Sequence, residues 1–145
     1  MNDSIEILLV EDNPYDAELT IHELKNHHMA NKLLHVRDGV EALEYIFGTG
    51  KFKSRDIAHT PKLVLLDIKM PKLNGIEVLQ NIKSDPRTKS IPVVILTSSN
   101  QDPDIKKCYD LGANSYIVKP VNFEGFSVAI KNMGFYWLLL NQPPS

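Results

Sequence analysis

Residues 62–75 read KLVLLDIKMPKLNG. Four apolar residues in succession, Leu63 to Leu66, have the pattern of a strand covered on both faces. The run ends on Asp67. That puts a carboxylate at the carboxyl end of a buried strand, where open α/β sheets bind ligands. Pro71 and then Asn74-Gly75 mark a tight loop. Val78, Leu79 and Ile82 then turn one way, which reads as an amphipathic helix over about 76–83, ended by Asp85-Pro86.

Similar units lie on either side. Ile5 to Val10 is β-branched and apolar, a first strand ending on Glu11-Asp12. Asn13 is placed to cap a helix whose first residue is Pro14. Ala17, Ile21, Leu24 and His28 recur at near-helical spacing and should face the sheet. Leu33 to Arg37 is a second strand. Asp38-Gly39-Val40-Glu41 has the form of a capping box, opening a helix that runs to about Phe47. Gly48 to Pro61 is polar and basic, a surface loop with room for an extra helical turn. Pro92 to Thr97 is a fourth strand. Asp102-Pro103 starts a fourth helix with Ile105, Cys108 and Leu111 as its buried stripe, closed by Gly112 as a left-handed cap. Asn114 to Val118 is a fifth strand ending on Lys119-Pro120. A last helix runs from near Asn122 to about Leu140. Strands alternating with helices five times imply a parallel sheet covered on both faces.

The chain of 145 residues suits one domain, with a core over about 4–132 and an extension over about 133–145. Lys and Arg number 16 against 18 Asp and Glu, a near balance that speaks against a dedicated nucleic-acid binder. The single cysteine, Cys108, excludes an internal disulfide and suits a reducing cytoplasm. It reads as a small core residue. His22 and His27-His28 read as a polar helix end, since no cysteine or matched ligand joins them. No segment is long and apolar enough to span a bilayer, so no membrane attachment is expected.

Parallel strands point one way, so their carboxyl ends gather at one rim. That rim collects Glu11-Asp12, Asp67, Thr97 and Lys119. Three acids this close repel one another unless a cation joins them. Mg²⁺ suits a few carboxylates, a carbonyl and several waters. Asp12 and Asp67 are assigned as direct ligands with the backbone carbonyl of Lys69, and Glu11 through water. Such a rim can carry phosphoryl transfer to a carboxylate. Asp67 is then the acceptor, Lys119 takes a phosphoryl oxygen by a charge-assisted hydrogen bond, and the Thr97 hydroxyl takes another.

In order and spacing, Glu11-Asp12, Asp67 in DIKMPKLNG, Thr97-Ser98 and Lys119-Pro120 resemble the response-regulator receiver domain across nearly the whole chain. The resemblance implies the flavodoxin-like fold, a five-stranded parallel sheet of order 2-1-3-4-5 with five helices; a receiver domain is one of the examples by which that fold is commonly illustrated. It also implies phosphorylation of Asp67 by a sensor histidine kinase or small phosphodonors. By the same resemblance Thr97 and the Tyr116 ring would act as the switch, the Lys119–Pro120 bond is expected to be cis, and Lys69 and Ser99 occupy places that tune the phosphoryl lifetime in the family. The long loop before the third strand and the extended last helix make the chain most similar to the small stand-alone regulators of bacterial phytochromes. The expected partners are therefore a phytochrome-type kinase and a downstream protein, with no direct DNA binding.

Phe126, Ile130, Met133, Trp137 and Leu140 form an ordinary helical core stripe. Phe135, Tyr136, Leu138 and Leu139 fall off it and leave apolar surface, which marks a contact site. The expectation is a homodimer through this end, Trp137 included. Two rival functions fit less well. A small-molecule aspartyl-phosphate hydrolase would carry its nucleophile after the first strand, in a pair of acids separated by one residue. A flavin-nucleotide carrier would need a neutral loop where Glu11-Asp12 stands.

Overall fold

The structure is a computed structural model and describes residues 6–27, 32–70 and 72–133. It contains β1 (Ile7–Val10), α1 (Pro14–Asn26), β2 (Leu33–Val36), α2 (Gly39–Phe47), β3 (Leu63–Asp67), α3 (Gly75–Ser84), β4 (Val93–Thr97), α4 (Asp104–Asp110), β5 (Ser115–Val118) and α5 (Phe123–Asn132). The five strands form one sheet of order β2-β1-β3-β4-β5, with every neighbouring pair parallel. Fold class and strand order agree with the expectation from sequence.

The apolar runs explain the layers. Successive side chains of a strand point to opposite faces. Leu8, Val10, Val64, Leu66, Val93 and Ile95 share a cluster with Ala42, Ile46, Val78, Leu79, Ile82 and Cys108, so α2, α3 and α4 lie on that face. Ile7, Leu9, Leu63, Leu65, Val94 and Leu96 share another with Ala17, Leu24, Phe126, Ala129 and Ile130, so α1 and α5 cover the opposite face. All five residues of β3 are buried, as a strand between two helical layers requires. Each fully buried Leu contributes about 1.5–3 kcal/mol relative to exposure.

The helix ends follow the local chemistry. The Asn13 side chain accepts from Tyr15 N and Asp16 N, with Pro14 at the first helical position, as expected. Asp38 accepts from Glu41 N, but Glu41 reaches back to Arg37 N rather than to the cap residue and also pairs with Lys51. The expected box there is thus displaced by one residue. A complete capping box occurs instead at Asn74 and Glu77, opening α3 at Gly75. The tight loop read from sequence therefore ends on the cap Asn74, and α3 starts at Gly75, one residue before the expected Ile76. α4 begins at Asp104, two residues after the expected start, because Asp102 is spent in accepting from Asp104 N. Gly112 follows α4 with a positive φ of 108°, wider than a left-handed helical cap. The loop after α2 contains a short 3₁₀ turn at Gly50–Phe52.

α5 is described to Asn132, with Met133 as its cap. Phe126 and Ile130 are buried as the stripe requires, and Met133 packs partly against them. His28 and the residues proposed for the dimer surface, Phe135, Tyr136, Trp137, Leu138 and Leu139, lie outside the described residues, as do Pro71 and Leu140.

Candidate functional site at the carboxyl rim of the sheet

Register brings the strand ends together. Val10 is paired with Leu66, Asp67 with Leu96, and Thr97 with Val118. The ladder continues past the strands through Glu11 N to Val36 O, Ile68 N to Leu96 O and Lys119 N to Thr97 O. The next side chains therefore share one rim, around a cleft of about 240 Å³ that Glu11, Asp12, Asp16, Asp67, Thr97 and Lys119 line. Carboxylate oxygens of Glu11, Asp12 and Asp67 lie within 4.8 Å of one another. Glu11 and Asp67 are 1% and 4% exposed, so water screens little of their repulsion.

Lys119 reaches over this group. Its Nζ lies 3.2 Å from Glu11 Oε1, 3.3 Å from Asp16 Oδ2 and 3.4 Å from Asp67 Oδ2. The Lys119–Pro120 bond is cis, as the resemblance implied. Burial opposes the ammonium charge, but Asp67, Glu11 and Asp16 outweigh it and hold the lysine above its ordinary pKa. One cation does not satisfy the acids. Burial, and then the shared hydrogen bond and charge of Glu11, push Asp67 up from 3.8 to about 7, against the pull of Lys119 and the Lys69 N–H. A proton shared between buried carboxylates marks a shortage of positive charge. The donors are all hard oxygens, which fits a small divalent cation. Glu11, Asp12 and Asp67 fit that ion as a set.

The remaining residues frame the cleft. Asp67 Oδ1 accepts from Lys69 N at 3.4 Å, while the Lys69 side chain, 74% exposed, leans toward Asp102 at 3.8 Å. The Thr97 hydroxyl lies 3.2 Å from Ser99 O and 3.3 Å from Asp102 Oδ2. Tyr116 is half-buried beside β4, its ring edge-on to Tyr109 with centroids 6.3 Å apart. The structure thus brings Glu11, Asp12, Asp67, Lys69, Thr97 and Lys119 to one cleft, and leaves Tyr116 outside its lining. Sequence reasoning missed three neighbours. Asp16 reaches Lys119 from the first turn of α1, and Asp102 meets Thr97. His35 on the edge strand donates from Nε2 to the Glu11 carbonyl at 2.8 Å. Asp16 was findable, since the first turn of a helix leaving β1 must pass over the rim.

The family model for the response regulator receiver domain matches residues 7–131. The chain belongs to that family. Receivers are signalling phosphoacceptors, and this one has solved structural neighbours among phytochrome regulators. The bacteriophytochrome response regulator AtBRR is 47% identical with a TM-score of 0.86, covering 96% of this chain and 99% of its own. Response regulator Rcp1 of Synechocystis sp. is 36% identical over 91% of this receiver and 88% of itself. The crystal structure of the Mn²⁺-bound form of a response regulator Rcp1 superposes with a TM-score of 0.74 at 34% identity, covering 97% of this chain and 99% of that one. A probable methanogenesis regulatory protein, FilR2 of Methanothrix harundinacea, is 37% identical over 95% of this chain and 86% of its own length. The receiver sheet order and the acidic rim agree with this membership. Among the described residues, no helix is long and apolar enough to cross a membrane.

Proposed function

We propose that this receiver, with residues 1–145 as one domain, is a cytoplasmic response regulator that accepts a phosphoryl group on Asp67 from a phytochrome-type sensor histidine kinase. The observation that carries the reading is Lys119, drawn within 3.4 Å of a buried Asp67 inside an acidic cluster that one ammonium does not neutralise. The phytochrome assignment is supported by the likeness to AtBRR. Mg²⁺ would be held by Asp12, Asp67 and the Lys69 carbonyl, with Glu11 behind them. Bound there, it supplies the positive charge that frees the Asp67 carboxylate of its proton and neutralises an incoming phosphoryl oxygen.

The chain's own groups do the rest. Asp67 Oδ attacks phosphorus in line as the bond to the donor nitrogen breaks, and the imidazole leaves with the electron pair. Lys119 pairs with one equatorial oxygen and the Thr97 hydroxyl donates to another. Tyr116 then moves inward behind Thr97. That repacks the surface of α4, β5 and α5, where a protein target is read. Output goes through that protein contact. The apolar residues Phe135, Tyr136, Trp137, Leu138 and Leu139 support a homodimer. Sedimentation over a concentration series, with and without phosphorylation, checks it: only monomer in both refutes the dimer.

The test of the phosphoacceptor is incubation with acetyl phosphate and Mg²⁺, read by intact mass. Wild type gains one phosphate; Asp67→Asn gains none, and a chelator added beforehand prevents the gain. Equal incorporation into Asp67→Asn overturns the assignment.

A further inference from the structure

The donor face of Thr97 is already engaged by a residue that the phosphoryl chemistry does not use. Asp102 lies in the turn between β4 and α4, its side chain only 8% exposed. Its two carboxylate oxygens have separate duties. Oδ1 accepts from Asp104 N at 2.9 Å and so shapes the start of α4. Oδ2 lies 3.3 Å from Thr97 Oγ1 and 3.8 Å from Lys69 Nζ. A hydroxyl has one proton. While that proton serves Asp102 Oδ2 or the Ser99 carbonyl, it cannot serve a group on Asp67.

We propose that Asp102 is a positioning residue that holds the Thr97 hydroxyl in its resting direction, and so sets how readily the phosphorylated arrangement forms. This rests on the reading of Asp67 as phosphoacceptor. A phosphoryl group on Asp67 must draw the hydroxyl off Asp102, and Oδ2 is left with Lys69 as its partner. The same carboxylate caps the approach to α4, so release of Thr97 is felt at the helix that faces Tyr116. Cost and coupling therefore arise at one side chain.

The test uses beryllofluoride with Mg²⁺ as the phosphoryl mimic, titrated calorimetrically into wild type, Asp102→Asn, Thr97→Ala and the double variant. Asn keeps one oxygen, which stays on Asp104 N, so its amide nitrogen faces Thr97. The hydroxyl then accepts from the amide, and the Ser99 carbonyl is left as the resting competitor for its proton. At 3.3 Å the hydrogen bond to the Asp102 carboxylate lies at the weak end of those made to charged groups, which sets the expected gain in affinity for Asp102→Asn at about tenfold. In the Thr97→Ala background the same change has no such gain, because the group Asp102 acts through is gone. Asp102→Ser is a second variant, able to keep the turn with its hydroxyl while being too short to reach Thr97, and should gain affinity likewise.

Unchanged or weaker affinity in both Asp102 variants overturns the proposal. So does an equal gain with and without the Thr97 hydroxyl, which would be a general effect of removing negative charge. Failure of the underlying reading looks different: wild type and Asp67→Asn would then bind the mimic alike.

Discussion

Asp67→Asn should make the metal-free protein more stable, by an amount that grows with pH. The cause is first the burial of Asp67 and then the hydrogen bond and charge of Glu11 beside it. Its folded pKa of about 7 lies above its ordinary 3.8. A carboxyl shifted in that direction binds more protons folded than unfolded, so it removes stability as pH rises through the interval between those values. About three units at roughly 1.4 kcal/mol each put the ceiling near ~4 kcal/mol, with the opposing pull of Lys119 already inside the shift. Part of that interval lies below pH 5. Between about pH 5 and about pH 8 the gap between variant and wild type should therefore widen by ~2–3 kcal/mol. Urea denaturation in chelator at the two pH values measures it. Saturating Mg²⁺ at the higher pH should raise wild type far more than the variant and close the gap. A gap that does not change with pH, or a wild type that gains on the variant as pH rises, refutes the claim that ionised Asp67 is under electrostatic strain.

Three further outcomes follow from particular contacts. Lys119→Met removes the one cation within reach of both Glu11 and Asp67 among the described residues, and should cost about 3 kcal/mol in chelator at neutral pH, read by denaturation. Gly75→Ala should cost about 1–3 kcal/mol and weaken Mg²⁺ binding by calorimetry, because a methyl there meets the Asp67 carbonyl oxygen and comes within 2.7 Å of Ile68 Cα. Arg55 donates to the Tyr45, Ile46 and His59 carbonyls and stacks 4.1 Å from the Tyr45 ring, fastening the 48–61 loop to the end of α2. Arg55→Lys should lose about 1–2 kcal/mol in urea denaturation and not substitute for it, since an ammonium lacks the planar fork.

Much of this molecule is written locally. Runs such as LVLL and VVIL are too short for helices and too uniformly apolar for a one-sided sheet, so they announce a buried parallel sheet. Once the strands are parallel, the residues that follow each of them must meet, and that alone groups Glu11, Asp12, Asp67, Thr97 and Lys119. Asn74 to Glu77 carries the same spacing as Asp38 to Glu41, so the start of α3 is legible in the sequence to within one residue. Other features had no local signal. That Lys119 spans Glu11, Asp16 and Asp67 together depends on the path of the β5–α5 turn and on the pitch of α1 over the rim. That Asp102 meets Thr97 as well as the first N–H of α4 depends on how the turn between them closes. Sequence patterns specify which way a side chain leaves its own element. Only the packed chain decides what it meets when the other partner lies about a hundred residues away, because that distance is set by the whole sheet.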